Sequence, residues 1–472
     1  MTGLRPARPT PKRLAVLLAF AALAANGCGT GRTARAERRA RELGVSIVRE
    51  PSRFGEMDIA VREQYTELRA RLVDSLNDES AAPEAVGQAF GALGNWHLIY
   101  RLHELARPCY FAARRLDPRD ARWFYFLGLT ERELGHLTAA AAALDQANAL
   151  RPQQLGILVT LGELELERGR CRAAEARFRS ALSIDPLCIR ALANLGLALN
   201  ACHRSQEAIP ILERALRLQP ESLFISYQIG TAHRAAGDPE RARRYLEPLA
   251  GLEASTSALP MRDPMRAELG AMDVSARMLK LRAHSALEAG RIEAAIELLR
   301  QAIRANPERT DSVADLAETL IKAGRESEAI VELRGILRRQ PDARRARRLL
   351  AEALRRLGQL RAAERELLTC LLKDPRDKGT HLQLAGLLRS SGRLAEAAQH
   401  YARAVELDPL DSDARYWQVA ALHALGRDAQ AHRALDQALA AHPENPALLL
   451  LARSLTTTDS EARGPNPPAP NP

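Results

Sequence analysis

Large aromatic side chains are scarce in this chain: 8 Phe, 8 Tyr and 3 Trp make up 4% of 472 residues, although 46% are hydrophobic. A thick globular core needs such side chains, so packing must fall to Ala and Leu in a thin, extended core. The uncharged run from Leu14 to Ala25 has only twelve residues, too few to span a bilayer. Six cysteines, Cys28, Cys109, Cys171, Cys188, Cys202 and Cys370, form no C-x-x-C pair and no C-x-x-C-H. Neither a zinc knuckle nor c-type haem attachment is therefore indicated. Catalytic signatures are missing as well, with no G-x-S-x-G, P-loop, H-E-x-x-H or Gly-rich dinucleotide turn. Glu163, Glu165 and Glu167 alternate around a helix instead of facing one another, and the eleven histidines are scattered. No enzyme activity, cofactor or small-molecule substrate is expected.

What the chain does have is a period. Prolines recur at 118, 152, 186 and 220, and again at 307, 341, 375, 409 and 443, every step within a set being 34 residues. A fixed spacing of this length marks stacked supersecondary units. Taking each proline as position 32 gives ten units, starting at residues 87, 121, 155, 189, 223, 276, 310, 344, 378 and 412, with Ala254 in place of proline in the fifth. Position 20 is Ala in all ten, from Ala106 to Ala431, and position 8 is Gly or Ala in nine, Val419 being the exception. Position 15 is Gly in eight units, with Arg101 and His203 in the other two. Small residues at 8 and 20 let two antiparallel helices cross closely, glycine at 15 turns the chain, and proline at 32 stops the second helix. Bulky position-24 residues such as Tyr110, Phe178, Leu212 and Tyr401 fill the space beside them.

This pattern, with first-helix stretches such as Phe90-Gly-Ala-Leu-Gly-Asn-Trp-His97 and Leu158-Val-Thr-Leu-Gly162, resembles the tetratricopeptide repeat family over residues 87–445. The resemblance implies an all-α fold, a right-handed superhelical solenoid of about ten antiparallel helix pairs. It also implies protein or peptide partners held against first-helix positions 2, 5, 9, 12 and 13. Those positions hold Arg122 and Tyr125 in the second unit, Phe224 and Tyr227 in the fifth, Arg345, Arg348, Arg355 and Arg356 in the eighth, and Tyr416 in the tenth. Aromatic groups there would anchor apolar side chains, and arginines would pair with carboxylates or phosphates. The competing readings are packing, for Trp123, Phe124 and Phe126 above all, and a solvated charged face for the nine arginines between Arg338 and Arg361. A carboxylate clamp of the kind some family members use would need Lys and Asn in consecutive units, and Asn95 alone fits.

Between the fifth and sixth units the period breaks, leaving 19 extra residues, 257–275. Two blocks of five repeats, 87–256 and 276–445, therefore meet at an insertion that acts as a hinge or a flap over the groove. Met261, Met265, Met272 and Met278 gather there with His284 nearby. A soft thioether site for Cu(I) and plain packing of an irregular junction both fit that composition. Residues 28–86 form a tether and N-terminal capping helices, 446–456 a closing helix, and 457–472 a Pro-rich tail without fixed structure.

Residues 1–27 read as a secretory signal, basic from Arg5 to Arg13, then apolar, then small. The ending Leu23-Ala24-Ala25-Asn26-Gly27-Cys28 resembles a bacterial lipobox, which implies diacylation of Cys28 and a lipid-anchored protein of the envelope. Ordinary cleavage after Ala22-Leu23-Ala24 gives a periplasmic one. Loss of Arg5, Arg8, Lys12 and Arg13 lowers the net charge from +10 to +6, mild for this size, and nucleic acid is not expected as a partner. In an oxidising compartment Cys171 and Cys202 are the candidate disulfide, because the register puts both near inter-helix turns of adjacent units. Buried or unpaired thiols are the alternative. The expected function is a non-catalytic scaffold of the cell envelope, with an assembly factor for polysaccharide or protein export and periplasmic copper handling as the other readings.

Overall fold

A computed structural model of the chain describes residues 28–47, 50–249, 259–261 and 263–462. The expected signal and the last part of the expected tail lie outside these residues. Among the described residues there are 24 α-helices, two short 3-10 turns and no strand. Two compact units divide the chain, Met1–Val274 and Ser275–Pro472, each built as a helical-repeat solenoid.

The first unit opens with α1 (Cys28–Glu42) and α2 (Ile59–Asn77). Five pairs follow: α3 (Pro83–Ile99) and α4 (His103–Leu116), α5 (Ala121–Glu133) and α6 (Leu137–Leu150), α7 (Leu155–Glu167) and α8 (Cys171–Ile184), α9 (Ile189–Ala201) and α10 (Ser205–Leu218), α11 (Leu223–Ala235) and α12 (Pro239–Leu246). A short helix, α13 (Pro264–Met272), ends the unit. The second unit holds α14 (Ala276–Glu288) and α15 (Ile292–Ala305), α16 (Thr310–Lys322) and α17 (Glu326–Arg339), α18 (Arg344–Arg356) and α19 (Leu360–Lys373), α20 (Lys378–Ser390) and α21 (Leu394–Leu407), α22 (Ser412–Ala424) and α23 (Asp428–Ala441), then α24 (Pro446–Ala462). Nine of the ten first helices begin at the residue the 34-residue period names, while α3 begins four residues early with Pro83 in its first turn. Helix α24 runs six residues past the expected end at Thr456, since no proline or glycine intervenes before Gly464.

The position-20 alanines are all buried, none more than 4% exposed. Opposite them, a Cβ on Gly128, Gly162, Gly196 or Gly230 would lie 2.5, 2.5, 2.4 or 2.6 Å from Leu144, Phe178, Leu212 or Leu246, the position-24 residues of the paired helix. In the second unit Ala283, Ala317, Ala351 and Ala385 stand at position 8, so its pairs cross with room for a methyl. Second helices stop because a residue before proline leaves the α region. Asp117, Asp185, Asp374 and Asp408 accordingly sit at φ between −130° and −143°.

Eleven of the 19 aromatic residues fall between Phe54 and Phe126, where the array needs an end. Tyr65 of α2 packs 4.7 Å from Trp96 and 5.0 Å from Phe54 between ring centroids, and Trp96 Nε1 donates to the Val61 carbonyl at 3.2 Å. Helix α2 thereby covers the open face of the first repeat, as solenoid ends require. His97 lies inside this cluster with no exposed surface, and neither ring nitrogen has a partner among the described residues. Burial pushes its imidazole down from the usual 6.5 to about 4.

Two predictions follow from these positions. Because His97 binds its proton in the folded state only near pH 4 but near 6.5 when unfolded, its contribution is complete above pH 6.5 and is lost as pH falls towards 4, by about 1.4 kcal/mol per unit. Urea unfolding from pH 7 to 4 should show that slope, and His97→Leu should flatten it; an unchanged slope would place the titration elsewhere. At position 15 the eight glycines have φ from 68° to 85°, and Arg101 and His203 adopt 59° and 62° there. The left-handed region costs an L-residue about 1–2 kcal/mol, partly offset by glycine's extra chain entropy, so Arg101→Gly and His203→Gly should each add about 0.5–1 kcal/mol. Both side chains are exposed, and a lower unfolding midpoint in either variant would contradict this account.

Candidate functional site

Positions 2, 5, 9, 12 and 13 of the first helices were expected to line an open groove. In the first unit they are covered over three repeats by α13. Asp263 caps this helix, accepting from the backbone N–H groups of Met265 and Arg266 at 3.1 and 3.2 Å, with Pro264 in the first turn, a strong start signal. The other oxygen of the Asp263 carboxylate accepts from the Tyr125 hydroxyl at 2.5 Å, and Arg266 Nε donates to that hydroxyl at 3.0 Å. Arg122 Nη1 donates to Glu268 at 3.0 Å, Gln64 Nε2 to the Met272 carbonyl at 2.8 Å, and the Val274 amide to the Tyr100 hydroxyl at 3.2 Å. Met265 and Leu269 join the core that contains Tyr125 and Phe126, and Leu259 joins the one containing Leu158 and Val159.

Gly156, at position 2 of the third repeat, makes the seat: a Cβ there would lie 2.6 Å from the Asp263 carboxyl group. Tyr125, expected as an accessible anchor, is fully buried beneath Asp263 and Arg266. Burial pushes its phenol up to about 12, so it stays a hydrogen-bond donor. Arg122 is likewise engaged, by Asp120 at 2.6 Å and Gln88 at 2.9 Å in addition to Glu268. Trp123 and Phe126 are core residues and Phe124 is half-buried. Asn95, held by the Tyr110 hydroxyl at 2.9 Å, reaches the Met272 sulfur at 3.9 Å.

At the far end of the same unit Phe224 is half-buried and Tyr227 is 45% exposed. In the second unit the four groove arginines of the eighth repeat, Arg345, Arg348, Arg355 and Arg356, each have a carboxylate in reach. Arg345 bridges Asp315 at 2.7 Å and Glu318 at 2.9 Å, and Lys280 meets Asp311 and Asp315 at 2.8 Å each. Arg348 lies 3.5 Å from Asp377, while Arg355 and Arg356 share Glu352 at 2.8 and 2.9 Å. The arginine-rich face is thus ion-paired at these four positions, through Arg345 and Arg356 to the preceding repeat and through Arg348 and Arg355 within their own. Such half-exposed pairs are worth about 0–1 kcal/mol each, weak enough for an incoming carboxylate to exchange with one of them. Tyr416 stands edge-on to Trp417 at 5.0 Å, and the Arg389 guanidinium lies 4.1 Å over the Trp417 ring. Arg389 occupies groove position 12 of the ninth unit, so the same register that named Arg355 would have found it.

The joint methionines do different things. Met265 is buried, Met261 packs against the other core, and Met278 belongs to the second unit. Cys171, first residue of α8, and Cys202, just past α9, are joined by a disulfide with 5.6 Å between their Cα atoms, tying the third repeat to the fourth. Cys109, Cys188 and Cys370 are buried free thiols, and burial raises the pKa of each, which makes them poor nucleophiles.

Against known proteins, the tetratricopeptide repeat family matches residues 101–154 and 159–222 in one form and 286–349 and 388–455 in another, more than half of the chain. Superkiller protein 3 of Saccharomyces cerevisiae is 29% identical over 146 residues, covering 29% of this chain and 10% of that protein; the chain thus spans about a tenth of this curated relative. Among solved structures, yeast Tom70 is 13% identical with 79% of this chain and 96% of that one covered, at a TM-score of 0.37. MamA from Desulfovibrio magneticus RS-1 is 20% identical with 36% and 97% covered, at 0.34. Pseudomonas aeruginosa pilF is 20% identical with 50% and 99% covered, at 0.31. With the 34-residue helix pairs and the buried small residues at positions 8 and 20, the family match over more than half of the chain makes it a member of the tetratricopeptide repeat family.

Proposed function

We propose that this protein is a non-catalytic scaffold that holds protein partners, as peptides or helices, against the concave faces of its repeats, and that it works in the bacterial cell envelope, anchored through Cys28. The observation that carries the first part is α13, a short helix gripped by groove positions of the first unit through both apolar and polar contacts. A groove that holds one helix in this way has the chemistry to hold another. Tyr227 and the Arg345 face, whose side chains are 45% and 47% exposed, are the accessible anchors. Export is supported by the order of basic, apolar and small residues before Cys28, and by the Cys171–Cys202 bridge, a bond that persists in oxidising compartments.

Capture from native membranes should recover a defined partner with the intact protein, and at least about tenfold less with Tyr227→Ala, Arg345→Ala and Arg348→Ala combined, in line with loss of a few anchor residues. Equal recovery would move recognition off these faces. Thiol trapping in intact cells tests the compartment: Cys171 and Cys202 should resist alkylation until reduced, and the Cys171→Ala/Cys202→Ala variant should lose about 3–4 kcal/mol for a closed loop of this length. Freely alkylated thiols together with an uncleaved N-terminus would sink the export reading.

A further inference from the structure

We propose that the concave face of the first three repeats is a receptor for a short amphipathic helix opened by an Asp-Pro cap, and that residues 263–274 are its built-in occupant, displaced when a partner segment of the same chemistry binds. The inference rests on the scaffold reading above.

Three features separate this segment from the repeats it lies on. First, it stands outside the 34-residue period, which runs unbroken from Ala121 to Leu223 as first-helix starts, so the repeats stack in register without it. Second, its contacts are those of a docked ligand. Met265 and Leu269, four residues apart on one helical face, enter the apolar floor. Around them the polar groove groups Arg122, Tyr125, Gln64 and Tyr100 each meet a polar atom of the segment. A core helix buries an apolar stripe, whereas a docked one combines apolar anchors with a polar rim. Third, the floor is shaped for the cap: Gly156 leaves the space that the Asp263 carboxylate fills, and Thr160 stands 3.3 Å from the Tyr125 hydroxyl beside it.

The displacing partner follows from the same contacts. It carries Asp-Pro followed by an apolar residue, an Arg, an acid that meets Arg122, and a second apolar residue four positions after the first. A helix of nine residues is well below the length that is stable alone in water. Helix α13 is therefore helical because the groove holds it, and it opens as a local unit while the repeats stay folded. Since the occupant is tethered, its effective concentration is high, and a partner's apparent affinity rises as the occupant is weakened.

The test uses the full chain and a fluorescein-labelled peptide of residues 263–274. Asp263→Ala/Met265→Ala/Leu269→Ala should bind this peptide at least about tenfold more tightly than the unaltered chain, because the competing occupant is weakened. Adding Gly156→Ala should reverse that gain by blocking the cap. Equal affinity for both chains, or no binding by a triple variant that keeps its helix content, would overturn the proposal. Hydrogen exchange supplies a readout without the triple variant: α13 amides in the unaltered chain should exchange at least about a hundredfold faster than those of α5 and α7. Gly156→Ala alone should speed α13 further. Exchange of α13 only with global unfolding of the unit would equally overturn it. Neither assay uses an outside partner, so capture from membranes can fail while this holds, and the reverse.

Discussion

Where Gly162 faces Phe178 and Gly196 faces Leu212, the two helices of a pair stand so close that a single methyl would come within 2.5 and 2.4 Å of the opposing side chain. The position-20 alanines beneath them have no exposed surface in nine of the ten repeats, from Ala106 to Ala208 and from Ala295 to Ala431. Backbones this close leave a pair only two helices thick, with one large residue at position 24 filling what remains. Such a pair has no interior of its own. Its apolar face can leave water only against the next pair, so the array grows by stacking and its first helices are left lining one side. The exposed side of those first helices is where side chains from successive repeats come together.

A lined side carries polar groups that need partners whether or not a ligand is present, and the two units meet that need differently. In the second, Lys280, Asp311, Asp315, Arg345 and Glu318 form one chain of ion pairs across three repeats. These groups are half-exposed and screened, so each link is weak and exchangeable. In the first unit the groups are covered by α13, where the buried Tyr125 and Asp263 are hydrogen-bonded to each other and the part-exposed Arg266 closes over the Tyr125 hydroxyl. Contacts in such surroundings are stronger while made and costlier when half-broken. One groove is therefore fitted for gradual exchange with a solvated partner, and the other for replacement of one whole segment by another.

The repeats were legible because each constraint is steric, local and restated in eight to ten of the ten units. Proline at 32 and glycine at 15 act within a few residues of themselves, so their effect could be read without knowing what packs where. Even the two exceptions obey the backbone, since Arg101 and His203 take the left-handed conformation that glycine takes elsewhere. The site was harder because the period names the positions that face the groove and not what lies on them. Tyr125 was placed in the groove by its register, yet its partner sits 138 residues later in the chain, in the stretch where the period fails. Local signals were present there: Asp263-Pro264 is a capped helix start, and Gly156 is a glycine at a groove position where neither turn nor helix crossing asks for one. The pairing of the Arg345 face with acids of the previous repeat was also within reach, since Asp315 and Glu318 recur roughly one repeat earlier.

The disulfide gains its meaning from where the first unit is weakest. Helix α12 has eight residues, whereas the other second helices have fourteen, and the fifth repeat carries Ala254 where the others have proline. In an array whose pairs are stabilised mainly by their neighbours, loss of structure starts at such an end and propagates inward. The bond between Cys171 and Cys202 crosses from the third repeat to the fourth, one step before that loss would reach Gly156 and the seat of α13. At the other end the seat is guarded by α2 and the aromatic cluster around Trp96. The three repeats that hold the inserted helix are thus braced on one side by burial and on the other by a covalent bond, and the receptor surface can lose its occupant without losing its shape.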